Sequence, residues 1–539
     1  MKKTYILFAS VFALGLSVAT QAQTRYLDDI GTDVSVTSNV NYGNNVGIIT
    51  QAPALENLFM DVYQLDGDTT SNKPVVIMLH TGSFLPAIVN GQATGDKTDN
   101  AIVEMCERFA KKGYLAIALN YRLGWNPVSE SEDVRRSTLI QAAYRSLQDV
   151  KTAVRFLRKS VAEETNPYGI GDAFAVGGYG TGGYISLSLG TLNDYNSELL
   201  MPKFIDSSEE TIAIYGQPVP YIIQSVLGNF DATDFGYMTV PTSDSTSMEV
   251  PLCVPNHVGY SSEIDMAFNA GGALPDISWL DEGEVPIASM QCVTDPDAPY
   301  AEGNVIVPTT SEFVITAHGA QWIQEKADSL GNNDVFNELS TTLTDSWYNN
   351  GNGAANAAIA GHDDLNGLFG IITPIASETP TLCGFELEQG APWDWWDNAT
   401  YGAMADGYHG MPTGTMGCLA LLGNPDMSEE KGMAMADMMS EFFTPRVYAA
   451  LFSSSDVGLT EELVEKVNIY PNPANNFITI SAQNPITAVK LYSVEGKLLR
   501  NYTTNTTTVS IEKNELTNGL YFVELEINKQ TIKKSVVFN

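Results

Sequence analysis

One short segment, residues 173–189, constrains the fold of this chain more than any other. It begins with an apolar run, Ala173-Phe174-Ala175-Val176, and then enters a turn dense in glycine, residues 178–182, which reads Gly-Tyr-Gly-Thr-Gly. Residues 184–189, which leave the turn, have helical character. Glycine permits the backbone to fold back as tightly as such a turn requires. The segment therefore predicts a buried strand, a tight turn and a helix in direct succession.

The start of the chain predicts export. Lys2 and Lys3 precede a short apolar core, and Thr20-Gln21-Ala22 suits cleavage, so residues 1–22 are interpreted as a signal peptide. The apolar core is too short to cross a bilayer, and no other stretch of about 18 apolar residues follows. We therefore expect an exported protein without an integral membrane segment. Its 539 residues exceed one typical domain, so at least two folded units are expected.

The net charge of −36 is unevenly distributed along the chain. Residues 466–539 hold eight Lys or Arg and five Asp or Glu, whereas the rest of the chain holds 20 basic and 59 acidic residues. Nucleic acids and anionic lipids both require a basic surface on their protein partner. The acidic body therefore argues against either partner.

The cysteines give no sign of a metal site. There are five of them, widely spaced and without a Cys-x-x-Cys pair: Cys106, Cys253, Cys292, Cys383 and Cys418. This spacing excludes a zinc ribbon and a dense disulfide scaffold. We expect no metal and no cofactor, and the sequence leaves the disulfide pairing open.

The C-terminal residues 466–539 differ in pattern from the rest. Short segments rich in β-branched and aromatic residues, such as Phe477-Ile478-Thr479-Ile480, alternate with turns that contain Gly496 and Gly519. Such spacing predicts a small β-sandwich, separated from the body by a linker at residues 456–465.

Several pieces of this C-terminal segment resemble, in order, the sorting domain of proteins exported by the type IX secretion system of Bacteroidetes. They are Tyr470-Pro471-Asn472-Pro473, Leu491-Tyr492 with Gly496-Lys497, Gly519-Leu520-Tyr521-Phe522 and Lys533-Lys534. The resemblance implies that the type IX secretion machinery is a partner and that the protein passes the periplasm to be secreted or placed on the cell surface. The alternative is a generic carbohydrate-binding sandwich.

Residues 26–455 are expected to form one α/β domain with a mainly parallel sheet, because apolar strands alternate with amphipathic helices. Strands are predicted at residues 75–79, 115–119, 173–177 and 286–293, the first three as neighbours in one sheet. Helices are predicted at residues 101–112, 142–161 and 428–451.

Four motifs of this domain resemble the carboxylesterase and hormone-sensitive-lipase-like branch of the α/β-hydrolase fold. They are His80-Thr81-Gly82-Ser83-Phe84, Asn120-Tyr121-Arg122-Leu123, the helix segment 148–155 and the glycine turn at 178–182. The resemblance implies an α/β-hydrolase fold with long cap insertions. It also implies that Gly82, Ser83 and Thr181 supply the backbone N–H groups of an oxyanion hole.

The glycine turn departs from that family at its central position. Members carry Gly-x-Ser-x-Gly there, whereas this chain has Gly180 in place of the serine. Covalent acyl transfer needs an oxygen or sulfur nucleophile, and its loss typically costs about 10⁶-fold in turnover. Thr181, Ser83 or a histidine-activated water are the substitutes that the sequence offers. If Gly180 is the only defect, Gly180→Ser should restore weak esterase activity.

The family order of nucleophile, acid and histidine indicates the remaining site residues. Asp295, in Asp-Pro-Asp-Ala-Pro-Tyr after a predicted strand, is the candidate acid and Asp297 the second choice; the alternative is that Asp295 only begins a turn. His409, in a loop before the last predicted helix, is the candidate base, and His362 is the second choice. His80 is expected to be structural.

The insertions suggest a ligand platform. Trp393, Trp395 and Trp396 lie within four residues of one another, and tryptophan stacks well on an aromatic acyl group or a sugar ring. The alternative is that these side chains attach the insertion to the body.

Two classes of function follow. The first is a secreted or surface protein that binds an ester or glycan ligand on an esterase scaffold without turning it over. This chain would then resemble the cholinesterase-like adhesion proteins, which keep the esterase fold, have lost the serine and work by binding. The second is an active carboxylic-ester hydrolase, of the polysaccharide acetyl or feruloyl esterase type, with a non-standard nucleophile or an activated water.

Overall fold

The computed structural model describes residues 24–49, 52–242, 246–306, 312–337, 339, 365–371, 381–452, 468–472, 474–493, 497–527 and 530–538. The chain divides into two compact units, Met1–Tyr448 and Ala449–Asn539. The predicted signal peptide and the predicted linker lie outside the described residues, and the predicted boundaries of the domains stay predictions.

The strands of the first unit are numbered in chain order. They are β1 Val34–Gly47, β2 Ala54–Leu65, β3 Lys73–Leu79, β4 Leu115–Leu119, β5 Ile170–Tyr179, β6 Ile205–Asp206, β7 Val219–Pro220, β8 Gly236–Pro241, β9 Ser247–Cys253, β10 Met266–Ala270, β11 Ile287–Cys292, β12 Glu302–Ile306, β13 Phe313–His318, β14 Leu368–Ile371, β15 Thr381–Leu382 and β16 Phe385–Glu386.

Eight of these strands form the central sheet, in the order β1-β2-β4-β3-β5-β10-β11-β14. The strands from β4 to β14 in this order run parallel, whereas β1 and β2 join the edge antiparallel. The predicted neighbours are confirmed, since β3 pairs with both β4 and β5. Apart from Lys73, β3 and β4 are apolar, and both are buried throughout, as strands covered on both faces of a sheet require.

The helices of the chain include the three predicted ones, whose ends agree to within a few residues except that the second begins ten residues earlier. They are α1 Asn100–Lys111, α2 Glu132–Glu163, α3 Thr181–Thr191, α4 Glu209–Tyr215, α5 Gln224–Leu227, α6 Ala320–Ser329, α7 Asn398–His409, α8 Thr415–Leu419 and α9 Glu429–Phe452. The early start of α2 has a local cause, because the Ser131 hydroxyl accepts a hydrogen bond from the N–H of Val134 and caps the helix.

A buried ion pair joins the end of β4 to α2. The Nε atom of Arg122 lies 2.9 Å from the carboxylate of Asp149, and the backbone N–H of Arg122 donates to the same carboxylate at 2.8 Å. Both side chains are inaccessible to solvent. The pair therefore fixes the segment that follows β4, which in turn supports the loop after β3.

The second unit is an antiparallel sheet of five strands. They are β17 Asn468–Tyr470, β18 Phe477–Ser493, β19 Leu498–Glu512, β20 Gly519–Ile527 and β21 Gln530–Phe538. The long strand β18 pairs with β17, β19 and β20. Alternate side chains, among them Ile478, Ile480, Val489 and Leu491, enclose one apolar core. This is the antiparallel sandwich-like domain that the sequence predicts.

The structure resolves the cysteine pairing that the sequence left open. Cys383 and Cys418 form a disulfide, while Cys106, Cys253 and Cys292 are free and buried. The disulfide links the segment before α7 to α8. The tryptophan-rich residues 393–396 lie between the two cysteines in the sequence.

Candidate functional site

The glycine turn has the geometry of a nucleophile-bearing elbow. Gly180 lies between β5 and α3 with φ 50° and ψ −117°, a left-handed backbone that L side chains rarely adopt. Its N–H donates to the carbonyl of Ala270 at 2.9 Å. Side chains at Gly178 and Gly182 would overlap neighbouring backbone atoms, so both glycines are required by close packing. The scaffold of the elbow is therefore intact.

The space above Gly180 is occupied by Thr81. A Cβ on Gly180 would overlap the hydroxyl oxygen of Thr81 and lie 3.1 Å from its Cβ. The contact between this Cβ and the Thr81 oxygen would be shorter than the contacts that real Cβ atoms make in proteins. The Thr81 hydroxyl thus lies in the volume that the Cβ of a serine on the elbow would need.

The loop after β3 keeps the features of an oxyanion loop. Gly82, Ser83 and Phe84 have φ values of 116°, 53° and 55°, a run of left-handed conformation of the kind that clusters at functional sites. Gln92 donates to the Ser83 hydroxyl at 2.8 Å, and the indole of Trp125 donates to the Ser83 carbonyl at 2.7 Å. These bonds hold the loop in its strained form.

Two backbone donors remain available beside the elbow. The N–H groups of Ser83 and Thr181 donate to no other group in the part of the chain that the structure describes, and both residues line the central cavity. Such paired N–H groups are suited to bind a carbonyl oxygen. Of the three predicted oxyanion residues, Ser83 and Thr181 thus both line the cavity, whereas Gly82 is not among its lining residues.

His80 contacts the loop after β3 and Tyr121. The sequence predicts a structural role for it. It is 1% exposed, its Nδ1 lies 2.5 Å from the carbonyl of Thr81, and its ring stacks on Tyr121 at 4.3 Å. The Tyr121 hydroxyl donates to the His80 carbonyl at 2.7 Å. Burial lowers the pKa of His80 to about 4. The ring is neutral and structural.

The candidate acid lines the cavity. Asp295 follows β11, and its Oδ1 accepts hydrogen bonds from the N–H groups of Asp297 and Ala298 at 2.8 and 3.0 Å. Burial, and then the charge on Asp297, raise the pKa of Asp295. Asp297, the second choice, also lines the cavity.

The structure does not bring His409 to this cavity. His409 is the last residue of α7, and its Nε2 lies 2.8 Å from the carbonyl of Ile88. The expected hydrogen bond between Asp295 and His409 is therefore not formed. The physical reason is that His409 ends a helix of the insertion rather than standing in a loop over the sheet.

No other described histidine takes its place. His257 lies 2.8 Å from the carbonyl of Tyr42, and His318 lies 3.6 Å from the carboxylate of Glu302. Neither lines the cavity, and His80 does not line it either. His362, the second choice, falls outside the described residues.

The three tryptophans do not form one platform. Trp393 lines the cavity, whereas a side chain on Gly432 of α9 would overlap the ring of Trp395. Trp396 donates to Asn398 at 3.0 Å and packs against the cluster around Tyr401. Trp395 and Trp396 thus attach the insertion to the body, and only Trp393 faces ligand space.

The cavity has a volume of about 150 Å³, and its lining combines apolar and acidic residues. One wall is apolar and comes from α2, β12 and β13, with Leu139, Ile140, Val314 and Ile315 among its residues. Asp295, Asp297 and Asp394 also line the cavity. Among the described residues that line it there is no Lys, Arg or His.

Sequence reasoning missed two of these residues. Thr81 carried a visible signal, because it stands where the resembled loop pattern has glycine. Asp394 lies between two tryptophans and gave no signal of its own. It is 6% exposed, and burial together with the charge on Asp99 raises its pKa to about 8.

The comparison with protein families agrees with this geometry. Residues 60–309 match the BD-FAE family, a range that includes the loop after β3, the elbow and Asp295. The chain carries an esterase-like α/β-hydrolase domain. Residues 468–539 match the secretion system C-terminal sorting domain. The sorting domain places the protein on the type IX secretion route, to the cell surface or the exterior.

Solved structures related to the esterase-like domain have low identity. A truncated carbohydrate esterase from gut microbiota is 16% identical, with 50% of this chain and 81% of that one covered and a TM-score of 0.29. Esterase 2 of Thermogutta terrifontis phosphorylated by paraoxon is 14% identical, with 52% and 77% covered and a TM-score of 0.27.

For the sorting domain, PorZ, a surface component of the type-IX secretion system of Porphyromonas gingivalis, is 21% identical over 16% of this chain and 13% of that one, with a TM-score of 0.14. No curated protein matches the chain. Within the described residues, no helix combines the length and the apolar composition that crossing a membrane requires.

Proposed function

We propose that the esterase-like domain binds an ester or glycan ligand in its central cavity and does not hydrolyse it. One observation carries the proposal: the hydroxyl of Thr81 fills the space that a nucleophile on the elbow would need, and Gly180 supplies no reactive atom. The described residues that line the cavity include no histidine to act as a base. Acyl transfer needs both groups.

Although the cavity lacks the groups needed for acyl transfer, it has features suited to binding a ligand. The N–H groups of Ser83 and Thr181 can hold a carbonyl oxygen, and the wall around Ile140 and Ile315 can hold an apolar acyl or aromatic group. Export by the type IX route brings such a cavity to the cell surface or the exterior, where a binding function would act.

The first test is turnover of p-nitrophenyl acetate and butyrate by the purified full chain. An ordinary enzyme turns over about 10 times per second, and losing the nucleophile typically costs about 10⁶-fold, so we expect about 10⁻⁵ s⁻¹ or less. Turnover of about 1 s⁻¹ that disappears in Thr81→Val, which keeps the shape of the side chain without its hydroxyl, would instead establish a relocated nucleophile and an active hydrolase.

The second test is binding. The p-nitrophenyl group should quench tryptophan fluorescence when it occupies the cavity beside Trp125 and Trp393. Ala143→Trp, on the cavity side of α2, should fill the cavity and remove the quenching. Ala162→Trp, on the exposed end of the same helix, is the matched control and should leave it unchanged. Quenching that survives Ala143→Trp would place the ligand elsewhere.

A further inference from the structure

The Thr81 side chain directs its hydroxyl toward Gly180. A Cβ on Gly180 would overlap this hydroxyl oxygen, whereas the Cβ and Cα atoms of Thr81 lie 3.1 and 3.9 Å from the same point. The carbonyl oxygen of Thr81 lies 2.5 Å from Nδ1 of His80 and accepts from the Tyr121 hydroxyl at 3.4 Å. The hydroxyl itself has no hydrogen-bond partner among the residues that the structure describes. An unpaired polar atom therefore lies beside the elbow.

This hydroxyl is open to the cavity. Thr81 is half-buried and lines the cavity. In the described part of the chain, the side-chain atoms that are fully enclosed by protein and lack a hydrogen-bond partner do not include the Thr81 oxygen. An oxygen that has no protein partner and is not enclosed is accessible from outside. The Thr81 hydroxyl is therefore available to a molecule that enters the cavity.

Two backbone donors belong to the same pair of loops. The N–H of Thr181 is part of the peptide group that follows Gly180, and the N–H of Ser83 comes two residues after Thr81. Neither donates to another described group, and both residues line the cavity. Backbone donors placed in this way beside an elbow bind a carbonyl oxygen.

The position of the Thr81 hydroxyl determines what it can contact. In acyl transfer, the oxygen of the nucleophile stands about 3–3.5 Å from the carbonyl carbon while the oxyanion donors hold the carbonyl oxygen. The Thr81 oxygen lies in the volume of the missing nucleophile side chain. It is therefore within contact distance of a carbonyl group that the N–H groups of Ser83 and Thr181 hold.

At this position the hydroxyl can donate a hydrogen bond, since its O–H rotates freely and no protein acceptor engages it. Nucleophilic attack would also need a base to take its proton, and the described residues that line the cavity include no histidine. The same atom that blocks a serine on the elbow is thus suited to hold a ligand there.

We propose that Thr81 is a ligand-binding residue, whose hydroxyl donates a hydrogen bond to a carbonyl group held by the N–H groups of Ser83 and Thr181. This inference rests on the proposed binding function. It adds that the ligand presents a carbonyl group at Gly180 rather than a sugar ring, and that Thr81 sets the preference for this group.

The test uses two probes of nearly the same shape, acetophenone and α-methylstyrene, in which a methylene group replaces the carbonyl oxygen. Both suit the cavity, because a volume of about 150 Å³ accepts a single benzene ring. Calorimetry on the full chain gives the ratio of the two affinities in each variant. A change in the shape or stability of the cavity acts on both probes, so the ratio reports the contact with the carbonyl oxygen.

Thr81→Val keeps the shape of the side chain and removes the hydroxyl, and Thr81→Ala removes it without any risk of overpacking. Each should lower the ratio of acetophenone to α-methylstyrene affinity about 2- to 10-fold, the effect of one hydrogen bond. Thr81→Ser retains a hydroxyl and should keep the ratio close to that of the native chain.

Thr191→Val is the matched control. Thr191 lies on α3, the helix that follows the elbow, and is buried with its hydroxyl donating to the carbonyl of Leu187 at 3.1 Å. It does not line the cavity. The substitution should leave the ratio of the two affinities unchanged.

Infrared difference spectra give a second measurement on the same samples. The carbonyl stretch of acetophenone falls in frequency when its oxygen accepts hydrogen bonds. It should be lowest in the native chain and in Thr81→Ser, and higher in Thr81→Val and Thr81→Ala. A frequency in the native chain equal to that in a hydrocarbon solvent would overturn the inference without the use of any variant.

The outcomes separate this inference from the function on which it rests. If neither probe binds, the binding function fails and the inference fails with it. If both bind and the ratio is the same in the native chain, Thr81→Val and Thr81→Ala, the cavity is a binding site but the role of Thr81 is wrong. If Thr81→Ser lowers the ratio as much as Thr81→Val does, the shape of the side chain and not its hydroxyl is responsible, and the inference is overturned.

Discussion

A side chain on Gly180 would overlap the hydroxyl oxygen of Thr81, and its Cβ would come within 3.1 Å of the Thr81 Cβ. The sizes of the two residues are thus complementary: the Thr81 side chain fits in its place because Gly180 has no side chain. A serine at the elbow would therefore require the Thr81 hydroxyl to move.

Gly180→Ser is therefore expected to destabilise the chain. Overpacking against Thr81 and a side chain at φ 50° each cost about 1–3 kcal/mol. The double variant Thr81→Gly with Gly180→Ser should recover part of this loss, since it removes the overlap and leaves only the backbone strain. Urea unfolding of both single variants and the double variant measures the coupling.

Neither Gly180→Ser nor the double variant should react with a fluorophosphonate, because no described histidine lines the cavity to activate the serine. This replaces the sequence-based expectation that Gly180→Ser alone restores weak esterase activity. Labelling of the double variant, but not of Thr81→Gly, would show that a base reaches the elbow after all.

His409→Ala should leave ligand binding in the cavity unchanged. Its Nε2 hydrogen bonds to the carbonyl of Ile88, so the substitution should cost only about 0.5–1.5 kcal/mol of stability. Fluorescence titration with p-nitrophenyl butyrate and urea unfolding on the same sample separate the two effects. A loss of binding without a loss of stability would return His409 to the site.

Asp394 should make stability fall as the pH rises. Its folded pKa of about 8 lies above the ordinary value near 4, so the folded chain holds a proton that the unfolded chain releases. Stability is therefore lost between about pH 4 and pH 8. Asp394→Asn should remove this loss and increase the free energy of unfolding at pH 8 by about 1–3 kcal/mol more than at pH 5.

Asp234→Asn is the control for this pH dependence, because Asp234 is exposed and the substitution makes the same change in net charge. Its effect on unfolding should be the same at both pH values. An equal pH dependence in the two variants would contradict the assignment of the effect to the burial of Asp394.

The buried pair between Arg122 and Asp149 should be the strongest polar contribution to stability near the site. Asp149→Asn leaves a buried guanidinium without its counter-charge and should cost about 3–5 kcal/mol. Asp172→Asn, at the exposed pair with Arg158, should cost about 0–1 kcal/mol, because the Asp172 side chain is 83% exposed. Urea unfolding compares the two, and equal costs would mean that the buried pair is not needed to hold β4 on α2.

The central strands and the elbow could be predicted because their patterns are local. Residues 75–79 and 115–119 are continuously apolar, and a segment of that kind must be buried on both faces of a sheet. Gly178, Gly180 and Gly182 signalled a turn too tight for side chains. The choice of Asp295 as the acid came from the family resemblance and stays a prediction, although Asp295 does line the cavity.

The positions of the other candidate site residues depend on the path that the insertions take, which the sequence does not show. Which of Trp393, Trp395 and Trp396 faces the cavity depends on how residues 387–397 cross the sheet, and the place of His409 depends on where α7 ends; neither is encoded in local periodicity. The same holds for Thr81 above Gly180. The sequence by itself determined that a strand, a tight turn and a helix present Gly180, because burial and backbone sterics act over a few residues. Only the tertiary structure decided that the Thr81 hydroxyl fills the space above it, because that contact joins residues far apart in the chain.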